Sequence, residues 1–346
     1  MAGKRILLLG ERHSNTGICP ETFCQEKGEN CHVYEVHKWL GDLAKNAPQC
    51  LDIFLETDYL LPYSKKSVMA YKDNALKKFD NGINAIESQF RQCLTVEAKQ
   101  KEQCYSDQLR FHYINVRDYI YNWGKNEYPI TQLYQLKPYF FGQMLKKVDL
   151  MYMKEEDNFQ KHREIIYSYI LGIDRSENAE REFYNYLADL RGQSGMWTPN
   201  KDGKVIFYDN SDAKKYFKKF FENIDKEASK LNPNINKKKF FDILLDIFVT
   251  ESITRPIMIL DVPMDVYFLL RLFIVFDEKK LYRGPVGCRD SEYVEIKNAI
   301  VYGGSAHTDI YSLFLQKYFE VEPQIFVEQD AENKCINFES PFDFFE

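Results

Sequence analysis

The chain has 346 residues and a mass of 41.1 kDa, room for one elaborated domain or two. Hydrophobic residues at 45% and charged residues at 28% are ordinary globular values and exclude wholesale disorder. The 46 basic and 52 acidic residues leave a net charge of −6, a balance that argues against a general nucleic-acid binder.

Met1 to Arg5 precedes four apolar residues, too short a run for a signal-peptide core or a membrane span. The expectation is synthesis in the cytosol and no membrane insertion. Residues 4–9 read as a first strand, running into Gly10-Glu11-Arg12-His13. Cys31 to Ala47 reads as a helix, with Val33, Val36, Leu40, Leu43, Ala44 and Ala47 on one stripe, Asn30 as N-cap and Pro48 as its end. Leu51 to Glu56 is the second strand, a β-α-β opening that implies parallel pairing. Residues 65–101 are polar with helical spacing, and residues 111–116 form a third strand ending at Arg117-Asp118.

From about residue 130 to 280 the pattern is mostly helical, with apolar spacing at 137–152, 155–171, 179–191, 213–231 and 239–252. Turn chemistry interrupts it at Thr198 to Gly203 and Asn232 to Asn234. Val262 to Phe276 is the longest apolar stretch, and Asp265 and Arg271 break it, so it reads as a buried helix. Residues 299–303 form a strand, 309–318 a helix and 324–328 a closing strand. The tail, Phe338 to Glu346, mixes acid and Phe and reads as a docked or loose end.

The fold class is therefore α/β. A central, mainly parallel sheet forms from the N- and C-terminal segments, with helices on both faces and a large helical insertion. Residues 1–346 read as one elaborated domain: 1–125 and 285–330 the sheet core, 126–284 the insertion, 331–346 the tail.

The 8 cysteines exceed what a cytosolic enzyme needs. Cys19, Cys24 and Cys31 match no Cys-x-x-Cys zinc signature. Cys93 and Cys104 flank the polar segment Glu97 to Gln103 and either close it as a disulfide or stay as buried thiols. The paired lysines at 214–215, 218–219 and 237–239 alternate with aromatics, the pattern of a solvated helix face.

Two short units repeat at strand ends: Gly10-Glu11-Arg12-His13 and Gly304-Ser305-Ala306-His307. Glycine at a strand end permits a tight turn and close approach, and parallel strands bring their carboxyl ends to one edge. Glu11, His13, Glu56, Arg117 with Asp118, and His307 all fall at such ends. Imidazoles and carboxylates together hold a divalent metal or activate water, and an arginine stabilises an oxyanion. The bland alternatives are turn caps at His13 and His307, a helix N-terminal charge at Glu11, an exposed strand end at Glu56 and an ion pair at Arg117. His32 and His37 read as helix flanks, and His112 and His162 carry no supporting neighbours.

This set resembles the ChaN, erythromycin esterase, TraB and Tiki superfamily. The pieces are Leu8 to His13, Ile53 to Glu56, Asn115 to Asp118 and Tyr302 to His307, over roughly the first 60 and last 50 residues plus one strand. The resemblance implies catalytic roles for Glu11, His13, Glu56, Arg117 and His307, with His13, Glu56 and His307 as ligands of a divalent ion (Mn, Co or Zn). It implies cleavage of a small-molecule ester or a peptide by activated water. A second alternative is a haem- or iron-binding module like the ChaN branch, but ChaN-like openings often carry another histidine soon after the first, whereas residues 14–19 hold none, which weakens it. The rival reading is a non-catalytic structural or interaction protein with protein partners, suited to a large DNA virus particle by its 24 Tyr, 26 Phe and excess cysteine. Neither reading implies a specific nucleic acid.

Overall fold

Four strands with near-continuous apolar runs belong in a sheet buried on both faces, and the computed structural model places them in one. It describes residues 3–11, 32–58, 106–115, 156–193, 218, 221–222, 224–251, 258–281, 286–323, 335–338 and 344–345. The strands are β1 (Arg5–Glu11), β3 (Leu51–Asp58), β4 (Leu109–Asn115) and β5 (Asn298–Gly304). The sheet runs β1-β5-β3-β4 and every pair is parallel. The first and last parts of the chain thus share one sheet, as expected. The β-α-β opening differs in one respect: β5 lies between β1 and β3, so those strands are parallel without being neighbours.

The predicted helix over 31–47 divides. Its first residues form strand β2 (His32–Glu35), and helix α1 (Val36–Lys45) follows directly. β2 pairs antiparallel with β6 (Cys335–Phe338), with His32 opposite Phe338 and Glu35 opposite Cys335. A partner so distant in sequence overrides local helical spacing. Helix α1 lays Val36, Trp39, Leu40 and Ala44 on one sheet face, against Leu51, Ile53, Leu55, Ile300 and Tyr302. Phe344 is buried in the same cluster with Phe345 packed beside it, so the tail is docked at that point.

Alternate residues of the same strands face the other way. There helix α7 (Ser305–Phe319), next in the chain after the short α6 (Glu278–Leu281), approaches closely enough that a Cβ at Gly10 would meet Thr308 Oγ1 and lie 2.9 Å from Ser305 Cα. A disulfide joins Cys50, just before β3, to Cys288, and both are fully buried. The proposed Cys93–Cys104 pair and the strand at 324–328 lie outside the described residues, as do 65–101 and 137–152.

The chain divides into two compact units, Met1–Asn115 with Val275–Glu346, and Val116–Ile274. The second is helical: α2 (Glu156–Leu171), α3 (Glu177–Gln193), α4 (Lys237–Glu251) and α5 (Met258–Phe273). All four fall on or near predicted helices. Ser176 Oγ accepts the Ala179 N–H at 3.2 Å at the start of α3, as an N-cap does. The core of this unit holds Ile166, Tyr167, Phe183, Phe240, Phe248 and Phe268. No helix among the described residues is long and apolar enough to cross a membrane.

Candidate functional site

The site begins with what ends β5. Gly303 and Gly304 close the strand, and Gly304, in extended conformation, is the N-cap of α7 with no side-chain cap of its own. The first backbone N–H groups of a helix need outside acceptors. Glu56, at the carboxyl end of β3, supplies one: its Oε2 accepts the Gly304 N–H at 2.5 Å. A carboxylate is well placed at the positive end of the helix dipole.

His307 sits in the first turn of the same helix, its Nε2 3.7 Å from Glu56 Oε1. That is longer than a direct hydrogen bond and within ion-pair distance when the imidazole is protonated. Both side chains are almost fully buried, at 9% and 3% exposure. The His307 ring stacks on Tyr311 one turn later, with centroids 6.4 Å apart. Glu56 therefore has one oxygen fixed by backbone and the other facing an imidazole.

The glycines at these strand ends have a steric role here. A Cβ at Gly303 would lie 3.1 Å from Glu56 Oε2 and 3.3 Å from Glu56 Cβ, tighter than ordinary packing. The register sets Gly10 opposite Gly303 and Glu11 opposite Gly304. The two Gly-x-x-His units are thus offset by one residue, Gly10 lying opposite Gly303 rather than Gly304. The backbone of Glu11 reaches the same edge as Glu56 and Gly304. His13, Arg117 and Asp118 lie outside the described residues. Of the candidate set, the structure brings together Glu56 and His307.

A second polar cluster was missed by sequence reasoning. Asp52, Arg110 and His112 lie on the same sheet face as Glu56, toward the amino end of the strands. Arg110 grips Asp52 with both branches, Nε to Oδ1 at 2.8 Å and Nη2 to Oδ2 at 2.7 Å, and donates Nη1 to the Tyr293 carbonyl at 2.8 Å. His112 Nε2 is 2.6 Å from Asp52 Oδ1. Phe54 stacks on the His112 ring at 4.4 Å, and the Arg110 guanidinium lies 4.7 Å from the Phe276 ring centre. Burial alone pushes the Asp52 carboxyl up, but the neighbouring Arg110 and His112 outweigh it and hold it below the usual carboxylate value. His112, read from sequence as lacking supporting neighbours, has Asp52, Phe54 and Phe276 around it. The available signal was a charged residue inside each of two apolar strands, since buried charge is rare unless paired.

Among the described residues no three His, Cys, Asp or Glu side chains gather into a metal-ligand set. The Glu56–His307 pair offers two donors, at a separation within the span of two ligands on one ion, about 4.2 Å at most. Compared with known protein families, characterised proteins and solved structures, the chain matches none.

Proposed function

We propose that this protein is a hydrolase-like member of the superfamily its motifs resemble, cleaving an ester or peptide bond with water activated by Glu56 and His307. The observation that carries this reading is the buried Glu56–His307 pair at the carboxyl edge of a parallel sheet, where sites of open α/β sheets collect. In this reading Glu56 Oε1 and the His307 imidazole, 3.7 Å apart, take a proton from a water that both reach. Glu11 ends β1 at the same edge, and His13 comes two residues later in the sequence; in this reading both belong to the site. A divalent ion held by His13, Glu56 and His307 would lower the pKa of a bound water.

The structural alternative rests on the same hydrogen bond, because Glu56 also serves as the cap of α7. Purified protein is assayed against p-nitrophenyl acetate and a fluorogenic peptide library, with and without Mn, Co or Zn. Turnover above buffer that falls about 100-fold or more in His307→Ala, with the fold retained by circular dichroism, supports hydrolysis. Absence of turnover under every condition leaves the structural reading.

As to setting, the Cys50–Cys288 bond favours a compartment or particle in which thiols are oxidised over the reducing cytosol. Mass mapping of these cysteines in protein taken from its native source tests this.

A further inference from the structure

Residues 286–297 run along the amino ends of the sheet strands and are fastened to three of them. At β3, Cys288 is bonded to Cys50. At β4, Gly287 N–H donates to the Asp107 carbonyl at 2.9 Å, and the Tyr293 carbonyl accepts Arg110. At β1, Lys4 Nζ donates to the Ile296 carbonyl at 2.6 Å and lies 3.7 Å from Glu295. Phe276 N–H donates to the Val294 carbonyl at 2.7 Å. This segment is built of two short 3-10 turns, Val286–Cys288 and Ser291–Val294. Cys288, Tyr293 and Ile296 are buried, whereas Val286 and residues 289–292 are exposed.

Short turns with few buried apolar groups open at lower free energy than the sheet they cover. The segment's one covalent tie is the disulfide, packed under Tyr293. We propose that residues 286–297 are a thiol-locked strap. With the Cys50–Cys288 bond intact it seals the amino edge over Asp52, Arg110 and His112, and a dithiol reductant releases it without unfolding the sheet. In that exchange a reductant thiolate attacks one cysteine sulfur and expels the other as thiolate. The second reductant thiol then displaces the protein from the mixed disulfide. Two electrons pass from the dithiol, and two protons end on Cys50 and Cys288. Because both sulfurs are fully buried, attack requires the strap to open first. The proposal does not rest on the hydrolase reading.

The test is the rate at which dithiothreitol reduces Cys50–Cys288 in the full chain, followed by alkylation and peptide mass mapping, across sub-denaturing urea. Local opening exposes little surface, so the rate should rise with urea less than about one third as steeply as global unfolding does. After reduction, amide exchange should quicken about tenfold or more at 286–297 and stay unchanged in α7. Unreduced Cys288→Ser protein should show the same exchange pattern as reduced wild type. Reduction that tracks global unfolding, or that fails below the unfolding concentration, overturns the proposal. Equal acceleration across α7 does the same.

Discussion

Asp52 Oδ1 lies 2.6 Å from His112 Nε2 across the β3–β4 ladder, on the same sheet face as Glu56 and with Phe54 between them. Asp52 also takes both branches of Arg110, so the buried carboxylate is matched by charge and geometry. Removing one partner of such a cluster leaves an uncompensated buried charge. Asp52→Asn should therefore lose about 3–5 kcal/mol of stability, read from urea denaturation midpoints at neutral pH. A loss under about 1 kcal/mol would mean that water reaches Arg110 and screens it.

The same carboxylate gives a pH dependence with a definite sign. Its folded value lies below the unfolded one of 3.8, so its contribution is fully present above that value. As pH falls, the unfolded chain takes up the proton first, and the contribution is lost on the way down through the folded value. The stability gap between wild type and Asp52→Asn should narrow as pH falls below about 4. A gap that widens in acid contradicts the lowered value.

The helical unit and the strands were legible because their signals are local: apolar spacing for α2 to α5, apolar runs ended by glycine or charge for β1, β3 and β5. What depended on distant partners was not. β2 reads as helix until β6 pairs with it, and β5 enters between β1 and β3 from near the other end of the chain. Cys50 and Cys288 are 238 residues apart, and nothing near either cysteine announces the other. Glu56 and His307 were visible as strand-end residues. Their joint hold on the start of α7 required the β3–β5 register, which no one-dimensional pattern contains.

Removing the cross-link should destabilise the sheet unit. Cys50→Ala, Cys288→Ala and the double variant should each lose about 2–5 kcal/mol, and the three losses should agree within error because each breaks the same bond. Thermal melts under non-reducing conditions measure this. A double variant much less stable than either single one would show that the side chains, not the bond, carry the effect.

Gly10 and Gly303 should resist enlargement for different reasons. At Gly10 the obstruction includes backbone, Ser305 Cα at 2.9 Å, as well as the Thr308 hydroxyl; α7 must shift to admit a methyl group. Gly10→Ala should cost about 1–3 kcal/mol, and adding Thr308→Ala should recover only part of it. At Gly303 the obstruction is the Glu56 side chain, so Gly303→Ala should disturb Glu56 more than the fold. Denaturation curves on the three variants decide between these outcomes, and full recovery by Thr308→Ala would relieve the backbone of any role.

Glu56 has two duties that one pair of substitutions separates. Its Oε2 accepts the Gly304 N–H, and its Oε1 faces His307. A glutamine keeps an oxygen for the first duty and loses the charge needed for the second; an alanine loses both and opens a void beside Gly303. Glu56→Gln should therefore fold with a stability change near 1 kcal/mol, the size of one hydrogen bond adjusted rather than lost. Glu56→Ala should lose about 1–3 kcal/mol, since a buried helix N-terminus is left without its acceptor. If the pair activates water, both variants should lose hydrolysis by about 100-fold or more despite this difference in stability. Should Glu56→Gln retain full turnover, the carboxylate is a helix cap and the base lies elsewhere. Equal stability losses in the two variants would instead show that the charge at the start of α7, rather than the hydrogen bond, is what the fold uses.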